Sequence, residues 1–95
     1  MTAYVIANID VTDPEAYADY RKGVAATLEP FGGRFLARGG NAEALEGSYA
    51  PKRVVILAFP DYERAKAWWD SPAYRPLRDL RQRASRGDLL VVDGI

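Results

Sequence analysis

The stretch that decides the fold is Arg53–Tyr74, RVVILAFPDYERAKAWWDSPAY. It opens with an unbroken apolar run, Val54–Phe59, which is typical of a strand covered on both faces. Pro60 stops this strand, and Asp61 is a good helix N-cap because its carboxylate can accept from the free N–H groups of the first turn. The helix that follows ends at the Asp-Ser-Pro sequence of residues 70–72. A buried strand and a short helix therefore form the centre of the predicted fold.

The chain before this stretch predicts two strands and a helix. Ala3–Ile9 is rich in β-branched and aromatic residues, as strands are. The helix starts with either Thr12 or Asp13 as its N-cap. Arg34–Arg38 predicts the second strand, which we expect to resume over Ala42–Gly47 after a glycine-rich interruption. The helix between the two strands carries an apolar stripe at helical spacing, formed by Tyr17, Tyr20, Val24, Leu28 and Phe31.

The chain after this stretch predicts one more helix and one more strand. An irregular turn is expected over Ser71–Arg75, and the helix runs from about Pro76 to a stop at Gly87-Asp88. Leu89–Val92 is the last strand. The order β-α-β-β-α-β predicts one α+β domain over residues 1–95, a ferredoxin-like split βαβ sandwich. In this fold a four-stranded antiparallel sheet carries its helices on one face.

The strands also predict a homodimer. Val54–Phe59 and Leu89–Val92 are apolar on both faces, but the helices cover only one face of such a sheet. The other face would be a contiguous apolar patch, which soluble monomers rarely expose. A second copy that presents the same face would bury it, with Ala42–Gly47 reaching around the partner.

The composition excludes several classes of function. The chain has 95 residues, with 13 basic and 13 acidic side chains, so no global field favours nucleic acid or an anionic membrane as a partner. It has no cysteine and no histidine, which excludes disulfides, thiolate nucleophiles and Ser-His-Asp triads. No secretory leader and no membrane span is visible, so we expect a cytoplasmic protein.

Several motifs together resemble a known family. They are Tyr4-Val5-Ile6, the segments 13–17 and 32–40, Glu46-Gly47, Phe59-Pro60 and the segment 68–74, WWDSPAY. In this combination the whole chain resembles the domain of unknown function thirteen-thirty family. The resemblance implies membership of the dimeric α/β-barrel superfamily, in which two ferredoxin-like sheets face each other. Relatives in that superfamily include cofactor-independent monooxygenases, lactone isomerases and haem enzymes, so the fold alone does not choose a reaction. Two positions depart from the family pattern: Asn8 stands where an aspartate is usual, and Pro76 replaces a helix former.

Two arginines are candidates for binding an anion. Arg38 lies inside a strand, where its charge must be paired or solvated. It either pairs with an internal carboxylate (Asp10, Glu43 or Glu46) or offers its guanidinium to a substrate carboxylate or enolate. Arg81 falls on the apolar stripe of its helix, where it either extends its head into solvent or provides a second anion contact.

Four further residues complete the predicted ligand-binding set with Arg38 and Arg81: Asn8, Trp68, Ser71 and Tyr74. Trp68 and Trp69 point about a hundred degrees apart on a helix, so one should enter the core while the other borders an edge or a cavity. Trp68 either packs on the sheet or forms an aromatic wall for a planar ligand. Ser71 and Tyr74 can donate hydrogen bonds to a ligand oxygen, or Ser71 can cap its helix.

The sequence predicts no cofactor and no metal site. The glycine pairs at 32–33 and 39–40 lack the lysine–serine ending of a phosphate loop and the strand–glycine–helix order of a dinucleotide site. Carboxylates are the only strong metal ligands available, and they form no regular cluster. We therefore expect a homodimer that binds a small anionic or conjugated molecule, as a binding protein or as an enzyme. The alternative is a structural or regulatory dimer without catalytic activity.

Overall fold

The computed structural model describes all residues, 1–95, and the elements follow the predicted order. The strands are β1 (Ala3–Val11), β2 (Arg34–Arg38), β3 (Arg53–Phe59) and β4 (Ser85–Asp93). The helices are α1 (Pro14–Leu28), α2 (Tyr62–Trp69) and α3 (Arg75–Ala84), and a short 3₁₀ turn, Glu29–Phe31, follows α1. None of these helices combines the length and the apolar character that crossing a membrane requires.

The four strands form one antiparallel sheet in the order β2-β3-β1-β4. The two central strands, β3 and β1, are the ones whose sequences are most continuously apolar. At the middle of the sheet Ile6 lies opposite Ile56 on one side and Leu90 on the other. This strand order with three helices on one face is the ferredoxin-like α+β fold that the sequence predicts.

Carboxylate caps fix where the first two helices begin. Asp13 is the N-cap of α1 and accepts a hydrogen bond from the Ala16 N–H at 3.2 Å, which decides between the two caps considered above. Asp61 caps α2 and accepts from the Arg64 N–H at 2.8 Å, as predicted. These caps satisfy N–H groups that have no partner inside the helix, so each helix starts immediately after its strand.

The core lies between the sheet and the helices. The inward face of β1 (Ala3, Val5, Ala7 and Ile9) is buried there, and so are Tyr17, Tyr20, Val24 and Leu28 of the predicted stripe on α1. Phe31 is partly buried against this cluster. The alternation of β1 and the helical period of α1 thus place the core where the sequence predicts it.

Two predicted boundaries are wrong. Ala42–Gly47 is not a strand: it belongs to an exposed connection between β2 and β3, and no neighbouring strand pairs with it. Gly87-Asp88 does not end a helix, because α3 ends at Ala84 and β4 begins at Ser85. The second error arises because β1 continues to Val11 and pairs with Ser85–Asp88, so the chain enters the sheet directly after α3.

The sheet face opposite the helices carries no element of this chain. Tyr4 and Ile6 of β1, Val54 and Ile56 of β3, and Leu90 and Val92 of β4 share this face by their alternation and register. Leu90 and Val92 remain 52% and 42% exposed. The structure thus shows the uncovered apolar face on which the dimer prediction rests.

Candidate functional site

A cleft between the sheet and α1 collects basic side chains on an apolar floor. It is lined by 15 residues, of which 11 are hydrophobic, and the other four are Arg21, Arg38, Arg53 and Arg81. We call this space the arginine cleft. It measures about 460 Å³ including its open mouth, and the space within it that water-sized molecules can occupy is about 30 Å³, enough for about two water molecules. No acidic residue lines it.

A β-bulge turns Arg38 into this cleft. The register of β2 against β3 pairs Phe35 with Leu57 and then Arg38 with Val55, with an irregularity between Phe35 and Ala37. In a regular strand, residues three apart point to opposite faces, but the extra residue of a bulge brings them to the same face. Phe35 and Arg38 therefore both face the helices.

Arg38 has no carboxylate partner. Its Nη2 donates to the backbone oxygen of Arg21 at 3.2 Å, and its guanidinium carbon lies 4.1 Å from the centre of the Phe35 ring. None of the ion pairs in the structure includes Arg38. The internal ion pair considered for Arg38 in the sequence is therefore not formed within the chain, and most of its N–H groups remain free to bind another group.

Arg53, like Arg21, lines the cleft although no motif in the sequence marks it as a candidate. As the first residue of β3 it lies opposite Ile9, on the helix-covered face. Its guanidinium carbon lies 5.7 Å from the Tyr17 ring centre, and its only hydrogen bond is a long one of 3.5 Å to the Arg38 carbonyl. Its Nε is buried without a partner. Strand alternation would have placed Arg53 on the same face as Val55 and Leu57 and so indicated that it faces the core. From the sequence alone, however, Arg53 can equally well belong to the turn that precedes β3.

Arg81, Tyr74 and Tyr20 form a buried chain of hydrogen bonds that ends in the cleft. Arg81 Nε donates to the Tyr74 hydroxyl at 3.3 Å, and the hydroxyls of Tyr74 and Tyr20 are 2.9 Å apart. Arg81 is only 7% exposed, so its head is not extended into solvent as one of the two sequence alternatives supposed. Tyr20 and Arg81 line the cleft, while Tyr74 lies behind them.

The phenol of Tyr20 is held neutral. Burial raises its pKa well above the ordinary value, and the neighbouring Tyr74 hydroxyl raises the pKa further. A tyrosine in this state donates a hydrogen bond and is not a base near neutral pH. Either hydroxyl can be the donor in the Tyr20–Tyr74 hydrogen bond. When Tyr74, which accepts from Arg81, donates to Tyr20, the Tyr20 hydroxyl can donate to a group in the cleft.

Trp68 and Ser71 are tied into the core, and so is Tyr74. Trp68 is 1% exposed, donates to the Thr27 hydroxyl at 3.0 Å, and packs its ring 4.0 Å from that of Tyr74. Ser71 donates to the Trp68 carbonyl at 2.8 Å and accepts from the Tyr74 N–H at 3.3 Å, so it shapes the turn between α2 and α3. Trp68 alone of these three borders the arginine cleft. Trp69 is on the outside, where Arg78 covers its ring, as the angle between the two tryptophans predicts.

Asn8 lies on the other face of the sheet, away from the predicted partners of its site. Its amide nitrogen donates to the Ala50 carbonyl at 3.1 Å and its amide oxygen accepts from the Lys52 N–H at 2.8 Å. These bonds fix the end of the connection between β2 and β3. The structure thus brings Arg38, Arg81 and Trp68 together around one cleft, places Tyr74 and Ser71 behind it, and separates Asn8 from it.

A second, wider groove lies between α2 and β4. It measures about 1460 Å³ including its open mouth, and Val5, Arg81 and Leu89 line both this groove and the arginine cleft. Its rim carries Glu63 and Asp70 beside Lys66 and Trp69, so its charge is mixed. The arginine cleft is therefore the better candidate for an anion. No group of three acidic residues is arranged to hold a metal ion.

The family follows from a match over nearly the whole chain. Residues 2–95 match the model of the family described as Domain of unknown function (DUF1330). The chain belongs to this family. A search of curated proteins finds no match.

Solved structures share the fold of this DUF1330 protein at low sequence identity. A protein of unknown function from Rhodopseudomonas palustris is 19% identical, with a TM-score of 0.78 over 99% of this chain and 82% of that one. SnoaB, a cofactor-independent oxygenase from Streptomyces nogalater, is 11% identical, with a TM-score of 0.67 over 99% and 93%. A dimeric ferredoxin-like protein of unknown function from Jannaschia is 17% identical, with a TM-score of 0.62 over 100% and 99%. At such identities the likeness establishes the fold and leaves the reaction open.

Proposed function

We propose that this DUF1330 protein binds a small anionic, conjugated molecule in the arginine cleft. The observation that carries this proposal is the composition of the lining, in which every polar residue is an arginine and no carboxylate offsets them. A cleft lined by charges of one sign on a low-dielectric wall concentrates ions of the opposite sign. A bound anion would also relieve the repulsion among the four guanidinium groups.

The walls favour an unsaturated ligand over a simple inorganic ion. Tyr17, Tyr20, Phe35 and Trp68 contribute aromatic surface to the cleft, and aliphatic side chains of β1 and β3 form the floor. A predominantly apolar pocket with a few convergent polar groups is the usual form of a small-molecule site. The neutral Tyr20 hydroxyl supplies a hydrogen-bond donor for a carbonyl or enol oxygen at the inner end.

The proposal includes a homodimer that packs sheet against sheet. The apolar face of Tyr4, Ile6, Val54, Ile56 and Leu90 is uncovered in the single chain, and a structural neighbour with the same fold is described as dimeric. Two copies related by a twofold axis would bury this face on both chains. Sedimentation that shows a stable monomer at micromolar concentration would contradict this part of the proposal.

The rival function is a structural or regulatory dimer without a ligand. The small open space of about 30 Å³ in the cleft is the observation that favours it, because a ligand larger than a few water molecules has to displace side chains to enter. No reaction is assigned to the cleft, since the acid–base groups it contains are arginines and tyrosines, and the Tyr20 phenol is held neutral. The oxygenase activity of SnoaB thus stays a property of that neighbour.

A thermal-shift screen with small conjugated acids and their neutral amides tests the proposal. A ligand present at 100 times its dissociation constant adds about 2.7 kcal/mol to the stability of the folded protein. We expect acids to raise the melting temperature of the parent protein and to raise that of Arg38→Ala less. Arg34→Ala is a matched control, because Arg34 is an exposed arginine of the same strand that does not line the cleft. If no acid stabilises the parent more than its amide does, the structural rival is favoured.

A further inference from the structure

We propose that Arg38 and Arg53 form a carboxylate subsite at the mouth of the arginine cleft, so that the ligand is a small aromatic or conjugated carboxylic acid. This inference rests on the proposed function and names its ligand class. It starts from the donors that the fold leaves unused. An arginine has five N–H donors, and Arg53 uses one of them, in a bond of 3.5 Å to the Arg38 carbonyl.

The Arg53 guanidinium lacks a hydrogen-bond acceptor at a buried position, which is unusual. The Arg53 Nε is the single buried side-chain nitrogen or oxygen in the structure that has no hydrogen-bond partner. Buried polar groups without a partner cost stability and are rare in native proteins, and a charged donor costs more than a neutral one. A ligand oxygen that binds this guanidinium after a small rotation would supply the acceptor that the chain does not.

Aromatic rings and a glycine, rather than acids, hold the two guanidinium groups in place. Arg53 lies over the Tyr17 ring and Arg38 over the Phe35 ring. Gly39 has a φ of +76° and packs directly on Arg53: a Cβ atom at this position would collide with Nη1 and lie 2.7 Å from Cζ. Contacts through the ring faces and through Gly39 leave the N–H edges of the guanidinium groups available. The backbone therefore makes room for Arg53 without neutralising it.

The arrangement fits a carboxylate better than a bulkier anion. Guanidinium edges match the planar geometry of a carboxylate and bind it through two parallel hydrogen bonds. The flat body of such an acid would lie against the aromatic walls of the cleft, Tyr17, Phe35 and Trp68, and some side chains would have to move to admit it, because the open space in the cleft is only about 30 Å³. A phosphoryl group has a third oxygen and a tetrahedral shape, so a planar guanidinium fork leaves one of its oxygens unbound.

Isothermal titration of the intact protein with benzoate, benzamide and phenyl phosphate tests this subsite. Benzamide has the shape of benzoate without its charge, and phenyl phosphate carries a tetrahedral anion. We expect benzoate to bind the parent protein and benzamide to bind about tenfold more weakly or not at all. Arg53→Gln should weaken benzoate binding by about tenfold, and Arg53→Lys should restore only part of it, because lysine keeps the charge and loses the fork. Arg83→Gln, an exposed arginine outside the cleft, should bind as the parent does.

Each result that differs from these expectations overturns a different part of the proposal. Equal binding of benzoate and benzamide, or benzoate binding by Arg53→Gln at the parental affinity, overturns the subsite. If Arg81→Gln then abolishes benzoate binding, the anion lies at the inner end and the proposed function stands without the subsite. Tighter binding of phenyl phosphate overturns the carboxylate class in favour of a phosphoryl ligand. If none of the anions binds the parent protein, the proposed function fails and the subsite fails with it. Circular dichroism of every variant checks that lost binding is not lost folding.

Discussion

Replacement of Arg38 by alanine separates a free anion-binding guanidinium from a structural ion pair. The contacts that this change removes are one hydrogen bond of 3.2 Å to the Arg21 carbonyl and one cation–π contact of 4.1 Å with Phe35. At an exposed site, each is worth about 0.5–1 kcal/mol. Loss of Arg38 also relieves its repulsion with the other arginines of the cleft. We therefore expect Arg38→Ala to lower the free energy of unfolding by about 1 kcal/mol or less.

Urea denaturation at one fixed protein concentration measures this change, because the stability of a dimer depends on concentration. With slopes of about 1–3 kcal/mol per molar urea for a domain of this size, the midpoint should shift by less than about 1 M. Arg83→Ala is the control for removal of an exposed arginine that has no cleft contact. A loss of about 3–5 kcal/mol is the cost of breaking a buried ion pair. That result would refute the reasoning, since it requires a carboxylate partner, which within a dimer could come only from the second subunit.

Three further predictions follow from single contacts. Above pH 10 the unfolded chain ionises Tyr20 while the folded chain keeps it protonated, so stability should fall by up to about 1.4 kcal/mol per pH unit. Urea titrations should show a shallower fall for Tyr20→Phe than for the exposed control Tyr49→Phe. Gly87 has a φ of +152°, and a Cβ there would collide with a backbone oxygen of β1. Gly87→Ala should therefore lose about 2 kcal/mol or more in the same denaturation assay, whereas Gly40→Ala, with nothing within 4 Å, should change little. Ile6→Asp places a charge at the centre of the uncovered face and should yield a folded monomer by sedimentation and circular dichroism, and a persistent dimer would contradict sheet-to-sheet packing.

The parts of the fold that the sequence predicts are those set by local periodicity and capping. The alternation of Ala3–Ile9, the helical stripe of α1 and the cap at Asp61 each act within a few residues and are found as predicted, and Asp13 is one of the two predicted caps of α1. The two wrong boundaries depend on a partner strand. Ala42–Gly47 has none, and Ser85–Asp88 has one only because β1 extends to Val11. Propensity alone does not indicate where a neighbouring strand ends.

The candidate site was less predictable for a similar reason. Whether Arg38 faces the helices depends on a bulge in β2 that its own sequence does not mark. Arg53 reads as the end of a turn until its register with Ile9 is known. Asn8 is the exception, because the alternation of β1 that the sequence itself shows already places it on the face opposite the cleft. Residue types suggested the chemistry of the site, and register decided which residues share it.

The net charge of the chain is zero, but basic and acidic side chains are unevenly distributed around the arginine cleft. Many of the acidic side chains are engaged elsewhere: Asp13 and Asp61 cap helices, and Asp19, Asp70 and Asp79 form ion pairs on the outer surface. Four of the 13 basic residues are gathered around one apolar cavity without a single acid in its lining. A chain with zero net charge exerts little field at a distance beyond about 8–10 Å in salt, but a partly enclosed cluster is screened much less. Selectivity for an anion can therefore arise at this cleft although the net charge of the whole chain is zero.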